Sequence, residues 1–177
     1  MSNTNTEGYF VKYTSLVFQN NIKDAFAHQT EKIQNFCDSI SEEKSTYAYA
    51  ADKWTLKEVL QHLIDTERVF AYRALAIARK DTTTLPSFDE NEYAAHSNAN
   101  SRTWHSLTEE MQQVRNSTSM LFNSFSAETL ANTGKFSNNT SDVNTLGLII
   151  VGHFYHHVNV VQEKYLASPN PSERGEL

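Results

Sequence analysis

The chain predicts an all-α fold, an antiparallel four-helix bundle with a long connection between its second and third helices. Three observations carry that prediction. Four stretches place apolar residues on three- and four-residue steps, the period of a helix with one buried face. Polar, turn-forming segments separate these stretches, and none of them reads as a convincing strand. Only 5 Gly and 3 Pro occur in 177 residues, too few for the many turns of a loop-rich β fold.

The first helix is expected over about residues 21–40, with Ile22, Phe26, Ile33, Phe36, Cys37 and Ile40 on its stripe. The aromatic residues before it, Tyr9, Phe10, Tyr13 and Phe18, either cross the bundle or form a helical turn of their own. The second helix starts after Thr55, an N-cap whose capping box is completed by Glu58, and it ends near Lys80-Asp81. Leu56, Val59, Leu60, Leu63, Ile64, Phe70 and Ala74 give it a continuous apolar face. Residues 82–100 form the long connection, a length at which segments are often functional or partly helical. The third helix covers about residues 102–125, where Trp104, Leu107, Met111, Val114, Thr118, Leu121 and Phe125 repeat at near-heptad spacing. After a polar stretch with Gly134, Asn138, Asn139 and Ser141, the fourth helix begins around residues 142–144 and runs to about Leu166. Residues 1–167 make one domain, and 168–177 read as a flexible C-terminal tail.

Composition narrows the function classes. A net charge of −6, with Arg79-Lys80 as the longest basic cluster, argues against binding to nucleic acid. No apolar run reaches membrane-spanning length, so no membrane partner is expected. The single cysteine, Cys37, allows no internal disulfide and, with a polar N-terminus lacking a signal pattern, makes the cytoplasm the expected location. Cys37 lies on an apolar stripe and reads as a packed small hydrophobe more readily than as a nucleophile.

The histidines carry the chemistry. The fourth helix reads Leu146, Ile150, His153, His157, Val160 along its buried stripe, so two imidazoles stand where core residues belong. They are four apart on one face, close enough to share an ion. The bland alternative is a pair of core histidines hydrogen-bonded to neighbouring helices; two of them in one stripe favour a metal, because buried imidazoles are hard to satisfy singly. A third ligand is needed. His62, bordering the second helix's stripe, is the best candidate, with His28 in reserve; His156 faces a rim, and His96 and His105 belong in solvent. Three neutral imidazoles leave a coordination position open, the pattern of a catalytic site. Zinc, nickel, iron and copper all accept imidazole, and zinc or nickel is the expected ion. A carboxylate-bridged di-iron bundle is excluded, since no Glu has a His three residues later.

Residues 53–68 (KWTLKEVLQHLIDTER), with FAYRA at 70–74 and LPSFDE at 85–90, resemble the signature helix of the DinB-like superfamily, also called DinB/YfiT-like. The run GHFYHH at 152–157, closed by Tyr165-Leu166, resembles that family's second signature. The resemblance covers about residues 7–166. It implies a four-helix bundle with an unusual connection, often a homodimer, binding a metal through His62, His153 and His157. Members of known activity include metal-dependent transferases of low-molecular-weight thiols and a thiol-dependent maleylpyruvate isomerase, which makes such a thiol a second expected cofactor and a small molecule the expected substrate.

Among the remaining residues, Glu67 is the candidate catalytic base or imidazole-orienting carboxylate, against a salt bridge to Arg68 or Arg73. Arg68 and Arg73 are candidates for a substrate carboxylate, against ion pairs or solvent. Trp54 is expected to seat the start of the second helix, and Tyr155 to stand beside the site or be exposed. Three functional readings follow: a metal-dependent enzyme activating a thiol or water, a non-catalytic stress-response or binding module with a structural or vestigial metal, and an interaction protein without metal in which the histidines are core packing.

Overall fold

A computed structural model describes residues 6–19 and 21–167; the tail expected at 168–177 lies outside the described residues. The helices are α1 (Thr6–Thr14), α2 (Ile22–Asp38), α3 (Glu42–Ser45), α4 (Leu56–Ala78), α5 (Glu90–His96), α6 (Trp104–Asn123), α7 (Ala127–Leu130) and α8 (Val143–Val161). A short hairpin, β1 (Thr133–Phe136) and β2 (Asn139–Asp142), precedes α8, and a turn of π-helix, Gln162–Leu166, extends that helix.

Local chemistry sets each long helix. Asn21, Thr55, Thr103 and Asp142 cap α2, α4, α6 and α8, each side chain accepting a backbone N–H from the first turn. At α4 the expected capping box is complete, with the Thr55 N–H donating to Glu58 at 2.7 Å. The far end of α4 closes on Lys80 in the left-handed region at φ 60°. Asp81 N–H then reaches Ala76 O and Lys80 N–H reaches Ile77 O, so two orphan carbonyls are satisfied without a glycine.

Around the bundle α4 packs on α6 and α8, and α2 packs on the same two helices. Helices α2 and α4 thus stand across the diagonal from each other, as do α6 and α8. The stripes read from the sequence are the ones buried: Ile22, Phe26, Ile33 and Phe36 on α2, Leu60 and Ile64 on α4, Leu107 and Met111 on α6.

The core has two apolar clusters with a polar layer between them. One gathers Ile22, Phe26, Phe70, Phe122, Leu146 and Ile150. The other gathers Ile33, Leu60, Ile64, Leu107, Met111 and Phe154. At the boundary Arg115 of α6, only 2% exposed, forks onto Glu67 of α4 with bonds of 2.9 and 2.7 Å. Its remaining terminal nitrogen donates to the Gln29 side-chain oxygen, and the Gln29 amide donates to Val151 O of α8 at 2.8 Å. The layer therefore ties all four long helices together.

One expectation is corrected and another is refined. The polar stretch before α8 is not plain loop but an antiparallel hairpin pairing Thr133 with Asp142 and Phe136 with Asn139. It stands because Phe136 is inserted into the core and because Leu85 of the long connection pairs with it, Leu85 N–H donating to Lys135 O and Ser137 N–H to Leu85 O. Gly134 lets β1 lie against α4, where an added Cβ would meet Ile77 at 2.5 Å. The aromatic N-terminal segment divides as well: Phe10 packs against the first cluster and Tyr13 belongs to it, whereas Phe18 is 85% exposed.

Candidate metal centre

His62 lies on α4, and His153 and His157 lie one turn apart on α8, the helix packed against it. Their rings meet. His153 Nε2 stands 3.1 Å from His62 Nε2 and 3.1 Å from His157 Nε2. Among the described residues these three form the one group of His, Cys, Asp or Glu placed to hold an ion, their ligand atoms all within 4.8 Å of one another.

Burial makes all three poor bases. It lowers His62 to about 4 and His157 to about 3, with the charge of His62 adding to the effect at His157. His153 is pushed well below the ordinary imidazole value, first by burial and then by His157. Neutral imidazoles in such proximity pose a hydrogen-bonding problem, since three Nε2 atoms crowd together with no carboxylate between them. Placing the ring protons on Nδ1 resolves it. For His62 that nitrogen faces Thr66 Oγ1 at 3.4 Å, and all three Nε2 lone pairs are then free for one cation. Two of the edges suit an ion: a tetrahedral zinc site with bonds of about 2.05 Å has nitrogen–nitrogen edges of about 3.3 Å, against 3.1 Å from His153 to each of its neighbours.

The centre opens into a cavity of about 330 Å³. One wall is the face of α4 that carries His62, Thr66, Phe70 and Arg73; another is α1 through Phe10, Lys12 and Tyr13. The hairpin and the long connection close the far end with Phe136, Ser137, Asn139, Ser87 and Phe88. Trp54 is half-buried and backs the His62 ring at 4.8 Å between centroids, a more direct role than seating the helix. Tyr165 of the π-helical turn holds it there by donating to Trp54 O at 2.7 Å. On the opposite side the Tyr13 ring meets His153 edge-on at 5.2 Å.

The other sequence candidates separate cleanly. His156 lines the cavity outside the triad, and His28, His96 and His105 are exposed. Arg68 pairs with Glu110 at 2.6 Å, away from the cavity, while Arg73 lines it. Glu67 is salt-bridged to neither of them: both its oxygens are taken by Arg115, although its chain borders a gap of about 10 Å³ shared with Thr66 and His153. Tyr155 lies toward Gln29 and Phe154, not in the cavity. Burial raises the Cys37 thiol to about 12, so it stays protonated and packed. Sequence reasoning missed Arg115 and Gln29 as a unit, and it missed the hairpin wall.

Comparison with known proteins now bears on this arrangement. The sequence model of the DinB superfamily matches residues 25–161, from α2 through α8. The chain belongs to the DinB superfamily. Its fold is similar to that of YfiT from Bacillus subtilis, described as "a probable metal-dependent hydrolase with an unusual four-helix bundle topology". The TM-score is 0.65 at 13% identity, over 92% of this chain and 87% of that one. No curated protein matches the sequence. In this DinB chain, then, the three-histidine cluster sits in a mostly helical scaffold shared with YfiT, and no described helix is long and apolar enough to cross a membrane.

Proposed function

We propose that this DinB protein is a metal-dependent enzyme in which His62, His153 and His157 hold one divalent ion, zinc or nickel, at the head of a small-molecule cavity. The observation that carries the reading is the convergence of three buried imidazoles beside that cavity, with His153 Nε2 3.1 Å from both His62 Nε2 and His157 Nε2. An ion there supplies Lewis acidity toward water, a low-molecular-weight thiol or a carbonyl. The chain supplies the rest. Thr66 orients the His62 ring through Nδ1, Trp54 and Tyr13 hold the ring planes from either side, and aromatic walls limit the water around a bound substrate. The description of YfiT as a probable metal-dependent hydrolase supports activation of water, and membership of a superfamily that the sequence resemblance links to thiol transferases supports activation of a thiol, for attack on a small electrophile.

Metal content by inductively coupled plasma mass spectrometry tests the reading on tag-free protein and on His153→Ala. About one equivalent in the first and almost none in the second is expected. Cobalt-loaded protein then separates an enzyme from a module with a closed structural ion. A visible spectrum that shifts with added thiol or azide shows an exchangeable position, and an unresponsive one overturns the catalytic reading.

A further inference from the structure

Arg73 is the charge in the cavity that the metal centre does not explain. It is 5% exposed, yet among the described residues it forms no ion pair, and its one hydrogen bond runs to Pro86 O at 2.7 Å. Glu90 lines the same cavity without reaching it within salt-bridge distance. The guanidinium instead rests over the rings of Phe70 and Phe136, at 4.8 and 4.7 Å from their centroids, with Phe88 at 5.9 Å. A guanidinium carries five donors, and burying it without an anion is unfavourable, which is why burial lowers its pKa. The contrast with Arg115 is instructive: the same side chain, also buried, has a bidentate carboxylate and a glutamine.

Arg73 follows His62 by eleven residues, which places it about 20° away around α4 and roughly 16 Å along it, so both side chains look into one cavity. Long helical side chains lean toward the N-terminus, which brings the guanidinium back toward the imidazoles.

We infer that Arg73 is the substrate-binding residue that receives a carboxylate, and that the substrate is a small aromatic or apolar acid on the order of 10 Å long, its carboxylate on Arg73 and its reactive end at the triad. The rings around the guanidinium take the apolar body, and the fork of N–H donors takes the two oxygens. The inference rests on the cavity being the substrate site of the proposed metal centre.

The test compares acids with their neutral amides: benzoate with benzamide, 4-phenylbutyrate with its amide, and hippurate with hippuramide. Binding is followed by Trp54-side fluorescence quenching and by calorimetry, with metal-free and zinc-loaded protein. Wild type is expected to prefer at least one acid over its amide by about tenfold or more. Arg73→Gln is expected to abolish that preference while leaving amide binding in place, and Arg73→Lys to keep part of it. If no acid in the panel exceeds its amide in wild type, the inference is wrong, and no variant is needed to see it. It is equally wrong if Arg73→Gln, shown folded by circular dichroism, retains the full preference. A preference that depends on Arg73 in protein that binds no zinc keeps the anion site and removes the metal reading; zinc bound without any preference does the reverse.

Discussion

Two groups of buried polar side chains lie within a few turns of each other, one on Gln29, Arg115 and Glu67, the other on His62, His153 and His157. In the first, donors and acceptors answer one another: a guanidinium meets a carboxylate and an amide oxygen, and the amide's N–H meets a helix carbonyl. In the second, three atoms of the same kind face inward, and a cavity opens beside them. Polarity in a core is thus no guide to function by itself. A network closed on itself specifies the packing of helices, whereas a set of lone pairs pointed at one place asks for an atom the chain does not provide.

The comparison can be broken most forcefully at the closed network. Glu67→Ala or Arg115→Ala should each lose about 3–5 kcal/mol in urea or guanidinium unfolding, because the surviving charge is stranded. Replacing Glu67, Arg115 and Gln29 together with Leu, Met and Leu should restore most of that loss. A single variant as stable as wild type would show that the layer does not fasten the helices.

The histidine set should behave in the opposite way. Without metal, His153→Leu is expected to stay within about 1.5 kcal/mol of wild type. With zinc at a hundred times its dissociation constant, wild type should gain about 2.7 kcal/mol and the variant nothing. Thermal melts with and without zinc measure both arms.

Acid separates the two groups further. The folded-state pKa values of His62, about 4, and His157, about 3, lie below the unfolded value near 6.5. The unfolded chain therefore takes protons first as pH falls. Metal-free stability should be level above pH 6.5 and decline from there toward pH 4, by at most about 1.4 kcal/mol per pH unit for each such proton. Denaturant midpoints across pH 7.5–4.5 give the slope, and the His153→Leu/His157→Leu variant should flatten it. Last and smallest, His28→Ala, on the exposed face of α2, should change stability by less than about 0.5 kcal/mol and leave metal content intact.

Much of this was legible in the sequence for one physical reason: a histidine on an apolar stripe breaks the pattern. His153 and His157 stand out among Leu146 and Ile150, and the capping box at Thr55 marks where α4 begins. The same logic would have found the polar layer, since Gln29, Glu67 and Arg115 occupy stripe positions between Phe26 and Ile33, Ile64 and Phe70, and Met111 and Phe122. Glu67 drew attention only for its nearness to His62, and its partner, 48 residues away, cannot be read from helical spacing. The hairpin escaped because its eight residues are polar except for Phe136, and a four-residue strand carries too little alternation to signal itself. The sequence makes Arg73 a candidate carboxylate receptor, but its burial without an ion pair among the described residues is a fact of three dimensions.

Gly152 stands immediately before His153, and a Cβ there would fall 2.0 Å from the backbone oxygen of Tyr13. Only a bare α-carbon lets α1 lie flush on α8 at this point. The three imidazoles belong to α4 and α8, whereas one wall of the cavity beside them comes from a nine-residue helix whose close approach depends on that glycine. A side chain at position 152 would lift α1 off α8 and take away that wall while leaving the helices that carry the histidines in place.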